Sequence, residues 1–285
     1  MSQSATAPAF GLPWFRRLNL KASTIVGIVL VALIVLPALL APLIAPYDPN
    51  EADFLNLRKP PSLEHWMGTD SAGRDILSRV LYGVRLDLGV MLFVTFVPLP
   101  IGVLLGAISG YYGGWVDSVI SRVADTLIAF PFLILVMAVV AIVGPGLTGV
   151  MIGIPLAGWA LYARMARAEM LVVREQNYML ATKTLGYTEG RAIFRHAVPI
   201  IMRTSLAYST VDMIVNLLLI SGLSYLGLGQ QPPDPELGAV IADGQAHLLN
   251  AWWIATFPGL TLVALGIGIG LVGDGLSDRD LLAGR

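Results

Sequence analysis

The chain of 285 residues contains no cysteine, which excludes disulfides, thiolate metal sites and a cysteine nucleophile. Charge is scarce too. Asp, Glu, Lys and Arg make up 13 % of the residues, against roughly 25 % in a soluble domain, while 56 % are hydrophobic. A soluble globular protein is thereby excluded, and the composition is that of an all-α polytopic membrane protein. Of the three lysines, Lys21, Lys59 and Lys183, none stands in a G-x-x-x-x-G-K-[ST] phosphate loop. An H-E-x-x-H zinc helix and a G-x-S-x-G elbow are also lacking. The three histidines, His65, His196 and His247, fall in separate loops or span edges. The sequence therefore offers no catalytic residue, no cofactor-binding residue and no metal site. If the protein moves anything uphill, the energy comes from outside this chain.

What is present is a series of long uncharged runs. Crossing roughly 30 Å of hydrocarbon takes about 20 helical residues. Thr24–Ile44 is the first such run; its apolar core is too long for a signal peptide, and Pro37, Pro42 and Pro46 stand where a small-residue cleavage site would be. Leu88–Tyr111 is the second. The uncharged stretch Thr126–Ala163 is too long for one crossing, and Gly144-Pro-Gly146 divides it into a hairpin of spans three and four. Ser205–Leu228 and Leu248–Val272 are the fifth and sixth. With the N-terminus cytoplasmic, the inside segments hold thirteen of the eighteen basic residues. The other five all lie in Tyr47–Asp87, where seven acids outnumber them. By the positive-inside rule, six spans with both termini cytoplasmic are expected. The expected organisation is a tail at 1–22, a first span at 23–46, an extracytoplasmic segment with an amphipathic helix at 47–87, a five-helix core at 88–273 and a tail at 274–285.

A polar insert, Arg164 to Arg203, carries seven of the eighteen basic residues and faces the cytoplasm in this topology. On a short helix within it, the small residues Ala181, Thr182 and Gly186 would let a partner's backbone approach closely, with Lys183 beside them. An ordinary connecting helix on the membrane surface fits the periodicity equally well. Inside span five, Asp212 is costly in hydrocarbon, at least about 2.5 kcal/mol on insertion scales. Ser209 and Asn216 share its face, so this is either a stretch of translocation pathway or a polar packing cluster. Asp70, Arg74, Asp75 and Arg79 lie three to five residues apart and predict an outside amphipathic helix with internal ion pairs, either solvated or used as a contact surface. Gly102, Gly106 and Gly110 form a ridge for close helix packing within the subunit, and Pro98 and Pro100 should kink the same span. No repeat relates the two halves, unlike many secondary transporters.

The insert resembles the EAA loop of ABC importer membrane subunits. Ala181, Thr182, Gly186 and Pro199 fall in register with it, while Leu180 replaces the glutamate and His196 the isoleucine. Further segments, in order, are Tyr47-Asp-Pro-Asn50, His65-Trp-Met-Gly-Thr-Asp70, Gly73-Arg-Asp-Ile-Leu-Ser-Arg79, Gly110-Tyr-Tyr-Gly-Gly114, Phe130-Pro131, Leu223-Ser-Tyr-Leu-Gly-Leu-Gly229 and Gly273-Asp-Gly275. Together they resemble the second ("C") permease subunit of dipeptide and oligopeptide ABC importers from about Ala22 to Asp278. The resemblance implies a type I importer permease fold in the bacterial inner membrane. It implies a homologous permease as partner, two cytoplasmic ATPase domains that use ATP and Mg, and an extracytoplasmic substrate-binding protein. Nucleic acid is not among the implied partners. Ala181, Thr182, Lys183, Gly186 and Pro199 would couple to the ATPase; Ser209, Asp212 and Asn216 would line the pathway; Asp70, Arg74, Asp75 and Arg79 would meet the binding protein. Cargo stays open among dipeptides, oligopeptides, glutathione, nickel chelates and haem. An ion-coupled secondary transporter using Asp212 is the alternative from another class, and would transport without ATP; a non-transporting scaffold would keep uptake intact when Asp212 or Asn216 is replaced.

Overall fold

The computed structural model describes residues 21–283, apart from the side chains of Lys183 and residues 276–283. Most of the expected N-terminal tail therefore lies outside the described residues. Helices α1 (Ala22–Leu39) and α2 (Ala41–Ile44) are followed by an irregular stretch, then α3 (Ile76–Phe96), α4 (Pro98–Tyr112), α5 (Gly114–Ala129), α6 (Phe132–Val143) and α7 (Leu147–Val173). After these come α8 (Asn177–Thr184), α9 (Glu189–Arg191), a π-helical turn over Ala192–Ala197, α10 (Val198–Tyr225), α11 (Leu237–Gln245) and α12 (Trp253–Ala283). Among the described residues there is no strand, only the isolated bridge Thr69–Asp75.

Five helical stretches are long and apolar enough to cross a membrane: Ala22–Leu39, Ile76–Tyr112, Leu147–Val173, Glu189–Tyr225 and Trp253–Gly275. The sixth crossing is different in kind. Helices α5 and α6 bend by 91° at Phe130-Pro131. The 12 residues of α6 reach only about 18 Å, short of the hydrocarbon core, so a crossing here needs part of α5. The sequence reading began this span at Thr126; the helix instead starts at Gly114, because nothing before Phe130 breaks it.

Charge proves a poor guide to helix ends. The fourth span runs past Ala163 to Val173, and the sixth past Val272 to Ala283. The first stops at Leu39, where Pro42 opens the short α2. The amphipathic helix expected over Asp70–Arg79 begins only at Ile76. Gly73, at φ +80°, turns the chain sharply enough that a Cβ there would lie 1.8 Å from the Asp53 carbonyl oxygen. Asp75 then caps α3 by accepting from the Ser78 amide at 2.8 Å. Pro98 divides the second span into α3 and α4, as its missing N–H requires.

Two apolar cores form. One joins α3, α6, α7, α10, α11 and α12 around Met91, Ile154, Leu217, Ile220, Leu237 and Ile254. The other joins α4, α7, the insert and the base of α10 around Val103, Tyr162, Met170, Met179, Ile193 and Ile201. Between the cores, α4 and α7 lie backbone to backbone. A Cβ on Gly102 would stand 2.4 Å from the Trp159 carbonyl oxygen, and one on Gly106 2.2 Å from that of Ala163. The glycine ridge thus packs inside this subunit.

Gly106→Val should separate α4 from α7 and cost about 1–3 kcal/mol by overpacking, read as a lower Tm in detergent. Gly259→Ala, where a Cβ meets nothing within 4 Å, should leave the Tm unchanged.

Candidate functional site

Three groups of side chains stand out from the apolar bundle. The first is the insert. Helix α7 continues into it through Arg164 and Arg167, and α10 begins at Val198, so the true connection is short, residues 174–197. On α8, Met179 and Thr182 point inward; Met179 joins the second core and the Thr182 hydroxyl donates to the Met179 carbonyl at 2.7 Å. The opposite face is open: Leu180, Ala181, Thr184 and Leu185 are exposed. Gly186, also exposed at φ +75°, reverses the chain, and the Tyr187 amide closes the turn on the Thr182 carbonyl at 3.0 Å. Tyr187 stacks on His196 with centroids 5.8 Å apart, and Arg191 lies over the Tyr187 ring. Pro199 sits exposed in the first turn of α10, and the side chain of Lys183 lies outside the described residues. The insert is thus a knob fixed to α10 through its buried side, with two leucines, Ala181 and Thr184 on its open face.

The second group surrounds Asp212. Its Oδ2 accepts from the Tyr162 hydroxyl at 2.8 Å and from Asn216 Nδ2 at 3.0 Å. Asn216 Nδ2 also donates to Thr95 Oγ1 at 2.9 Å, which ties α10 to α3 and α7. Ser209 is buried, but its hydroxyl donates to the Leu206 carbonyl of its own helix and takes no part. A cavity of about 390 Å³ opens beside Asp212 and Asn216, walled by Tyr208, Leu161 and the elbow at Phe130-Pro131. Its polar groups are few and sit on one wall. Tyr162 and Thr95 were not visible from the sequence, since each lies far along the chain from Asp212.

The third group holds together the loop-rich end of the bundle, made of residues 47–75 and 226–252. Asp70 is fully buried and takes Arg74 at 2.7 Å and Arg79 at 3.3 Å. Arg79 Nη1 donates to the Pro49 carbonyl at 2.8 Å and to that of Pro233 at 3.3 Å. Asp75 Oδ1 meets His65 Nδ1 at 3.0 Å. Of the ion pairs expected from the spacing only Asp70–Arg74 forms, buried and not on a solvated helix; Asp75 turns to His65, and Arg79 reaches back to Asp70. Asp70, Asp75 and Arg79 face inward, and Arg74 is largely covered, so the outward surface is left to other residues, the apolar Phe54, Leu55, Leu63 and Trp66 among the charged Glu51, Arg58, Lys59 and Glu64.

A further tie went unforeseen. Asp117 at the start of α5 binds Arg167 of α7 through two contacts of 2.5 and 2.6 Å, and accepts from Ser109 and Ser121. Arg174 donates to the Gly110 carbonyl at 2.9 Å. These bonds fasten the bent α5 to the helix that enters the insert.

The described residues thus form a bundle of long apolar helices with a polar insert at one end and a cavity beside the half-buried Asp212. Residues 102–279 match the family of binding-protein-dependent transport system inner membrane components, and residues 13–61 match the N-terminal transmembrane domain of oligopeptide transport permease C. The chain belongs to that inner-membrane component family. Among its relatives is a dipeptide transport system permease protein of Alkalihalophilus pseudofirmus, 37 % identical over 93 % of this chain and 88 % of the relative. A glutathione transport system permease protein of Escherichia coli is 37 % identical over 93 % and 89 %. A probable D,D-dipeptide transport system permease protein of Escherichia coli K12 is 37 % identical over 91 % and 86 %. The fold is shared with a chain of the MetNI methionine ABC transporter in an inward-facing form, at TM-score 0.58 and 19 % identity, over 70 % of this chain and 94 % of that one. The protein is thus a multi-pass inner-membrane subunit of an ABC importer.

Arg79→Leu would leave Asp70 buried without its second cation and free two carbonyls, a loss of about 3–5 kcal/mol. Limited proteolysis should then cut within residues 47–75 of the variant and spare the wild type.

Proposed function

We propose that this chain supplies half of the translocation pathway for short peptides, paired with a homologous permease and driven by two ATPase domains docked on the α8 knob. The observation that carries the reading is mechanical. The open face of α8 presents Leu180, Ala181, Thr184 and Leu185, and its buried face is packed through Met179, Ile193 and Ile201 into the base of α10, the helix that bears Asp212. A push on α8 is therefore delivered as a rigid displacement to the wall of the cavity. Leu180, standing where the resembling motif has glutamate, makes this docking one of shape more than charge.

In this reading both termini and the insert are cytoplasmic, and the loop-rich end faces the binding protein. ATP and Mg are held by the ATPase domains, and the permease chain is not itself the catalyst. Asp212 offers a peptide the acceptor for its ammonium group, with Tyr162 and Asn216 holding that carboxylate in place. Membership of a binding-protein-dependent family leaves the ion-coupled alternative without support. Dipeptide and glutathione relatives favour cargo with free charged ends; recognition of the side chains would rest with the delivering protein. At the loop-rich end, contact with that protein falls to the exposed groups of residues 47–66, because Asp70, Arg74, Asp75 and Arg79 are spent on internal bonds.

Two outcomes test this. In the reconstituted complex, Gly186→Trp should abolish the stimulation of ATP hydrolysis by loaded binding protein while the subunits still assemble; stimulation at the wild-type level would refute the docking role. Asp212→Asn should keep assembly and basal ATPase but reduce dipeptide uptake at least about tenfold, equivalent to about 1.4 kcal/mol; unchanged uptake would assign Asp212 to packing alone.

A further inference from the structure

Asp87 of α3 and Glu236, the residue that caps α11, are both fully buried and adjacent, the amide of the residue after Glu236 donating to Asp87. Neither Asp87 Oδ1 nor Glu236 Oε1 finds a donor. The donors that do reach the pair are neutral: the Leu237 amide to Asp87 Oδ2 at 3.4 Å, the Ala239 amide to Glu236 Oε2 at 2.8 Å, and the Gly238 amide and Ser224 hydroxyl beside Glu236.

Among the described residues no cation answers them. Arg85, two residues before Asp87, projects from the far side of α3, about 200° around the helix, and is exposed. Arg79 is committed to Asp70, Pro49 and Pro233. Helix α1 carries no charge along Ala22–Leu39. On α7 the first charge is Arg164, deep in the other half of the helix. On α10 the charged residue nearest Ser224 is Asp212, twelve residues or about 18 Å away. Asp243 of α11 accepts instead from Ser71, and Asp274 sits at the opposite end of α12. Two adjacent carboxylates without a cation cannot both stay ionised in such surroundings. A single proton between them removes one charge and completes the missing hydrogen bond, so the two groups titrate as one unit.

We propose that Asp87 and Glu236 form one proton-binding site, which latches α11 against α3 and α10 only while the proton is bound. The latch closes over a tight seat, since a Cβ on Gly238 would lie 1.9 Å from the Ser221 carbonyl oxygen. Any movement that lifts α11 from α3 wets both carboxyls and releases the proton, so closure of the loop-rich end takes up a proton and opening gives one back. This inference rests on neither the cargo nor the ATPase contact proposed above.

The test is spectroscopic and uses the full chain in lipid nanodiscs. Near neutral pH, the infrared spectrum of the wild type minus that of the Asp87→Asn/Glu236→Gln double variant should show the carbonyl stretch of a protonated carboxylic acid. Its absence would overturn the proposal. The second readout is thermal. Burial holds Glu236 above the usual carboxylate range, so the folded chain binds more protons than the unfolded one above about pH 4.3. Stability due to the pair is full below that value and is lost as pH rises through the raised folded value. The wild-type Tm should fall with rising pH across this window more steeply than that of the double variant, which keeps the shape and loses the titration. Parallel curves would overturn the latch.

Discussion

Where Gly102, Gly106 and Gly110 of α4 lie against Trp159, Ala163 and Arg167 of α7, two backbones meet with no side chain between them. Lipid supplies little hydrophobic drive to pair helices, so close packing and polar ties must do it. This contact sets the height of α7 in the bundle, and α7 carries much of the rest. Tyr162 reaches Asp212, Arg167 reaches Asp117, and Met170 meets the insert. A slip of one helical turn, about 5.4 Å, would break all three at once. The cavity wall, the bent helix and the polar insert are thereby placed by one small-residue seam.

The sequence made some of this legible. Gly144-Pro-Gly146 marks the hairpin because few residues other than glycine accept such turns, and Gly144 and Gly146 have φ of +113° and +135°. The polar insert announced itself by charge, and its small residues by spacing. Helix lengths were less readable. A charged residue stops an apolar run but need not stop a helix, and Arg167 and Arg174 continue α7 because Asp117 and the Gly110 carbonyl receive them. Helix α11 was missed, being only nine residues long with two glycines. The Asp70–Arg79 charges had helical spacing, yet the turn at Gly73 uses a backbone conformation that periodicity cannot reveal. The partners of Asp212 were beyond reach, because only the fold brings Tyr162 and Thr95 to it.

Scarcity of charge gives each buried ionic group a separate task. Asp70 with Arg74 and Arg79 closes the loop-rich end through a buried network, whose value lies in joining three chain segments more than in raw stability. Asp117 with Arg167 fastens α5 to α7 near the other end. Asp212, by contrast, has no cation for partner and stands beside a cavity, bonded only to neutral donors. Its acceptor capacity is not consumed by a cation, which separates a group free to meet a solute from groups that hold the frame.

The right-angle bend at Phe130-Pro131 gives the cavity an elbow for one of its walls. Helix α5, the long arm, has 16 residues and so extends about 24 Å from the bend. Its far end is pinned by Asp117 to the helix that enters the insert. The cavity wall beside Asp212 and the entry to the insert are therefore joined through a single straight arm, and neither can be moved without carrying the other.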